Sequence, residues 1–147
     1  MPSRRITILN EPVVRDALKQ AWQDSQPGPT GGHEEGGFIL RDEAGKISML
    51  RWPRGEKDTI LMPPHVDCRI GDSEIIGTFH THPNTGPDYL QEPGEADQRG
   101  VRDDPDLKGV GYVGELVISQ QATYLITPNG EISEVAATTE ITSQAGG

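Results

Sequence analysis

The chain has one cysteine, Cys68, in 147 residues. A single thiol excludes an internal disulfide and every metal site built on paired cysteines. Aromatic residues make up only 5% of the sequence and hydrophobic residues 33%, so the core must be small. No apolar run approaches the ~20 residues of a membrane span. The apolar stretch after Arg4 and Arg5 is too short to read as a signal peptide. Cationic residues are also scarce: 13 Lys and Arg stand against 23 Asp and Glu, a net charge of −10. That balance disfavours nucleic acid and anionic membrane as partners. The lone cysteine and the missing targeting segment point to a cytoplasmic setting. Turn formers, by contrast, are abundant. With 18 Gly and 12 Pro, the chain reads as one loop-rich domain.

Along the chain, residues 6–9 read as a short strand. Asn10 is placed to cap a helix whose first turn holds Glu11 and Pro12. Val14, Ala17, Leu18, Ala21 and Trp22 recur at helical spacing and form one apolar face for packing on a sheet. Residues 26–32 are a loop. Phe38, Ile39 and Leu40 form a buried strand, residues 42–45 a turn, and residues 46–52 the returning strand. Residues 53–64 are polar and broken, with a short strand near residues 59–62. Residues 94–103 read as a short helix that begins just after Pro93. Residues 110–119 and 122–127 are strands. Asn129-Gly130 predicts a two-residue hairpin that pairs residues 131–135 back. The folded domain is expected over residues 1–136, with residues 137–147 a flexible tail of small polar residues.

The chemistry concentrates in the run Glu74 to Pro83, where an apolar segment ends in His80-Thr81-His82-Pro83. Residues i and i+2 of a strand share a face. His80 and His82 therefore present both imidazoles together, and Pro83 ends the ladder. Asp97 lies in the first turn of the following helix, where the helix dipole favours a carboxylate. Two imidazoles, one carboxylate and an open fourth position suit a hydrolytic zinc centre. Such chemistry also needs a base, and Glu34 and Glu35 stand in a glycine-flanked corner before the buried strand. Spacing alone does not choose between them. His33 and His65 read as surface histidines. Cys68 reads as a buried thiol or an edge-of-site residue, and Asp103, Asp104 and Asp106 as a solvated cluster.

The combination Glu34-x-x-Gly37, His80-x-His82-Pro83 and Pro93-Gly94-x-x-Asp97 resembles the JAMM motif of the JAB/MPN metalloprotease family, which includes bacterial relatives of deubiquitinases. The resemblance runs from Glu34 to Asp97, and the order of elements on either side fits it. It implies an α/β (α+β) chain with a cytidine-deaminase-like MPN/JAB fold, a central mixed β-sheet flanked by two helices. It implies Zn2+ held by His80, His82 and Asp97, with Glu34 as the general acid/base, Glu35 in reserve and Asp88 as a rival ligand. The activity implied is hydrolysis after the C-terminal Gly-Gly of a ubiquitin-like or sulfur-carrier-type protein. The alternative within the family is a metal-binding but catalytically weak MPN scaffold for protein–protein interaction. The chain departs from the motif at Gly94, where the family usually carries a serine whose hydroxyl serves the oxyanion. Thr85 and Tyr89 are the nearby hydroxyls that could replace it.

Overall fold

The computed structural model describes residues 8–28, 30–86 and 91–142. Their elements are α1 (Pro12–Asp24), β1 (Gly36–Arg41), β2 (Ile47–Arg51), β3 (Arg69–Ile70), β4 (Ser73–Thr81), α2 (Glu95–Arg102), β5 (Glu115–Ile118), β6 (Ala122–Ile126), β7 (Ile132–Ala137) and α3 (Thr138–Thr142). A 3-10 turn, Pro105–Leu107, follows α2. The strands form one sheet in the order β2-β1-β4-β5-β6-β7, with the short β3 paired to β4. Among the described strands only β4 and β5 pair in parallel, so the sheet is mixed.

Each face of the sheet carries its own core. On one side Val14, Leu18 and Ala21 of α1 meet Ile39, Phe79, Leu116, Leu125 and Ile141. On the other side Val101 of α2 and Leu107 meet Phe38, Ile75, Val117 and Ile126. Neighbouring residues of β1 and β5 alternate between the two cores, as period-2 pleating requires. In β4 the alternation changes phase. Ile39 faces Gly77 across the pair with β1, and Leu40 faces Ile75, so Ile76 is an extra residue. This bulge puts Ile75 in the α2-side core and Ile76 in the α1-side core. After it Phe79 points to the α1 side, while Thr78 and His80 share hydrogen bonds to Glu115. The bulge thus decides which face receives the histidines.

Several expectations need correction. Ile8 is helical and Leu9 and Asn10 form a turn, so those residues are not a strand; residues 6–7 lie outside the described residues. Asn10 is exposed, and the N-cap is Glu11, whose carbonyl accepts from Val14 and Arg15. Residues 59–62 are loop. Glu115 rather than Val110 opens β5, because residues 109–114 turn through the left-handed Gly114 (φ +127°). The Asn129-Gly130 hairpin is real but has a three-residue loop. Thr127 and Glu131 close it, and Gly130 takes the left-handed φ of +88°. Among the described residues three helices of five residues or more, not two, accompany the sheet. The boundary expected at residue 136 falls inside β7, and α3 then carries Thr138 and Ile141 into buried positions. Residues 143–147 lie outside the described residues.

Candidate metal centre

The histidines sit where β4 ends. His80 lies in the strand and His82 just beyond it, yet the His82 N–H still donates to the Ile118 carbonyl at 2.7 Å. That bond keeps the backbone extended and both rings on the α2 side. Their Nε2 atoms are 3.1 Å apart. Asp97, in the first turn of α2, brings one carboxylate oxygen to 3.3 Å from His80 Nε2 and the other to 3.4 Å from His82 Nε2. Its position is fixed locally, since Oδ2 accepts the Gly94 N–H at 2.9 Å. The reciprocal half of a capping box is missing, because glycine has no side chain. Val101 anchors the helix in the core, and Gln98 ties it to the β6–β7 turn by donating to the Gly130 carbonyl at 3.0 Å.

Glu34 reaches the same point from the other side. Its N–H donates to the Glu56 carbonyl at 2.7 Å and its carbonyl accepts from Gly55 at 2.9 Å. Glu35 is tied to Thr81, through its N–H to Oγ1 and its carbonyl from the Thr81 N–H. Successive side chains of this extended segment point to opposite faces. Glu34 therefore joins the histidines, and one ligand atom from each of Glu34, His80 and His82 lies within 4.8 Å of the others. Glu35 is turned the other way, where it binds Arg51 at 2.7 Å and His33 at 2.6 Å. That arrangement removes Glu35 as the reserve base. It also corrects His33, which is buried rather than on the surface.

The electrostatics separate the two carboxylates. Burial pushes Glu34 up to about 7, against the pull of His80 and His82. Burial would raise Asp97 too, but hydrogen bonds from His80 and His82 hold it well below the usual carboxylate range. Burial works against a charge on His80, yet Glu115 and Asp97 prevail and raise it well above the ordinary imidazole value. A tetrahedral divalent ion bound at ~2.0–2.1 Å has ligand atoms roughly 3.3 Å apart. The observed separations of 3.1, 3.3 and 3.4 Å are close to that edge. Two nitrogens and a carboxylate so near one another need either shared protons or a cation between them. Cation binding would release those protons. The buried Glu34, His80 and His82 group, with Asp97 beside it, has the donor set and spacing to hold a metal ion.

Two clefts meet here. One, of about 300 Å³, runs past Lys57, Asn84, Gly94 and Glu95. The other, of about 380 Å³, runs past Trp52, Ile60, Met62 and His65. They share Glu34, Asp58, Ala96 and Asp97. Thr85 is exposed and lines neither cleft. Tyr89 and Asp88 lie outside the described residues. His65 is not a free surface residue. It bonds Asp104 at 2.7 Å and packs edge-on against Phe38. Asp104 is correspondingly a partner and cap rather than part of a solvated cluster. Cys68 is buried away from the site, with Sγ donating to the Ile75 carbonyl at 3.3 Å, and burial pushes its thiol up.

Sequence reasoning missed Glu115 and Asn84. Asn84 is buried and holds the Gly32 backbone and the Lys57 carbonyl, tying together three loops around the site. Its position directly after the His82-Pro83 pair was the available signal. Among the described residues no helix is long and apolar enough to cross a membrane. Comparisons with protein-family models, curated proteins and solved structures find no match for this chain.

Proposed function

We propose that the protein is a zinc-dependent isopeptidase or peptidase of JAMM type, with an MPN/JAB fold, acting after the C-terminal Gly-Gly of a ubiquitin-like or sulfur-carrier-type protein. One observation carries this reading: Glu34, His80, His82 and Asp97 converge where two clefts meet. His80, His82 and Asp97 would hold the ion. Asp97 suits a ligand because its carboxylate stays ionised. Glu34 suits a base because a group near 7 both takes and returns a proton at neutral pH. Bound zinc would supply Lewis acidity and acidify a water molecule. Glu34 would accept the proton of the attacking water and deliver it to the leaving amine. An extended tail would pass from one cleft to the other, and the small Gly94 and Ala96 would leave room for glycines at the cut. A second reading, a metal-binding scaffold without turnover, is favoured by Gly94, which offers no hydroxyl to the cleft.

One set of variants tests both. Wild-type protein is expected to bind about one zinc per chain and to cleave Gly-Gly fusions or adducts of a ubiquitin-like modifier. Asp97→Asn should lose the metal. Glu34→Gln should keep it and lose activity by at least about 100-fold. Elemental analysis without stoichiometric metal in the wild type would remove the proposal. Stoichiometric zinc with no cleavage of any such substrate would leave the scaffold reading standing.

A further inference from the structure

Each group at the metal centre is held from behind. Asp97 takes the Gly94 N–H, and His82 Nδ1 donates to the Gln91 carbonyl at 3.2 Å. Both supports are backbone and would survive most substitutions. His80 differs, because its Nδ1 meets the carboxylate of Glu115. Glu115 opens β5, beside Thr78 in the parallel pair with β4, and is only 5% exposed. Its other oxygen accepts from Thr78 Oγ1 at 2.9 Å. The Thr78 hydroxyl gives its one proton to that carboxylate, so the Tyr112 hydroxyl, 2.7 Å away, must donate to Thr78. The hydrogen bonds therefore run in one direction, from Tyr112 through Thr78 to Glu115, which also receives the His80 proton.

A carboxylate at the head of a four-residue buried strand is costly unless its partners justify it. Among the described residues Glu115 forms no ion pair with lysine or arginine, only with His80. Removing one partner of such a buried pair would leave the other unpaired, so Glu115 and His80 depend on each other. We infer that Glu115, steadied by Thr78 and Tyr112, is a positioning residue that fixes the His80 proton on Nδ1 and so presents the Nε2 lone pair to the metal. Outer groups of this kind set both the tautomer and the basicity of a histidine ligand. The inference rests on the metal-binding reading above.

The test measures metal binding rather than turnover. Zinc affinity is read by chelator competition, cobalt(II) loading by its visible spectrum, and folding by the melting temperature of the metal-free protein. Glu115→Gln is expected to bind zinc about 10- to 100-fold more weakly. Its cobalt spectrum should shift under conditions where melting shows the metal-free variant still folded, any lowering of that melting temperature reporting the separate loss of the buried His80 pair. Thr78→Val, which removes the donor to Glu115 and the acceptor of Tyr112 while leaving the His80–Glu115 contact, should show a smaller loss in the same direction. Wild-type affinity and spectrum in Glu115→Gln would overturn the positioning role and leave the metal site intact. Should Glu115→Gln fail to fold, Thr78→Val decides, and undiminished zinc affinity there would overturn the role. Absence of zinc and cobalt binding in the wild type would overturn the inference together with the reading beneath it.

Discussion

At the scale of single residues, Glu34 and Asp97 show how placement turns one functional group into two. Asp97 is pinned ionised by hydrogen bonds from two imidazoles, whereas burial outweighs the pull of the same imidazoles on Glu34 and raises it to about 7. In the metal-free protein that shift has a stability consequence. Near pH 4 Glu34 is protonated in both states, and its contribution is fully present. Between about pH 4.5 and 7 the unfolded chain gives up this proton and the folded chain keeps it, so stability is lost as pH rises. Above 7 the loss levels off at no more than about 3 kcal/mol. Glu34→Gln stays neutral throughout. In the presence of chelator it should melt higher than wild type at pH 8, by several degrees, and close to wild type at pH 4.5. Melting curves separated equally at both pH values would mean that burial does not set the Glu34 proton affinity.

At the scale of elements, the site depends on how closely β1 and β4 approach. A Cβ on Gly36 would lie 2.5 Å from the Trp52 ring and 2.6 Å from the Phe79 carbonyl, one residue before His80. The Phe79 carbonyl is backbone and cannot yield as a side-chain tip does. Gly36→Ala should therefore cost about 1–3 kcal/mol, measured by urea unfolding of the metal-free protein. An unchanged midpoint and slope would show that the strand pair has slack. The Ile76 bulge acts at the same scale. Without the extra residue, His80 and His82 would fall on the α1 side, away from Asp97 and Glu115.

At the scale of the whole molecule, the mixed sheet separates two tasks. The α1 and α3 face is mostly packed core, with a pocket of about 170 Å³ beside Ile8, Ile47 and Ile76 at its edge. The α2 face holds the second core at one end and the two clefts at the other. Closure of the first face reaches the last described helix, where Ile141 is 3% exposed and packs in the same cluster as Leu18 and Leu125. Ile141→Ala should cost about 2–5 kcal/mol, seen as a lower melting temperature. A melting temperature equal to wild type would return α3 to the status of a loose tail.

Much of this was legible from the residues. The α1 stripe, the Phe38–Leu40 strand and the Gly130 turn follow from periodicity and turn chemistry, which are local. The pairing of His80 with His82 follows from the two-residue repeat of a strand, and Asp97 from its place at a helix start. Glu115 was not legible, although an acidic residue heading a buried apolar run was the available sign. Nor was α3, whose short polar sequence resembles a tail until Ile141 meets α1. The sequence by itself determined which side chains can bind a cation and which of them share a local element. The tertiary structure alone decided that Glu34 rather than Glu35 faces the histidines, that a bulge turns them toward Asp97, and that Glu115 stands behind His80. Those relations depend on strand register and on contacts between residues far apart in the chain, and no local periodicity encodes them.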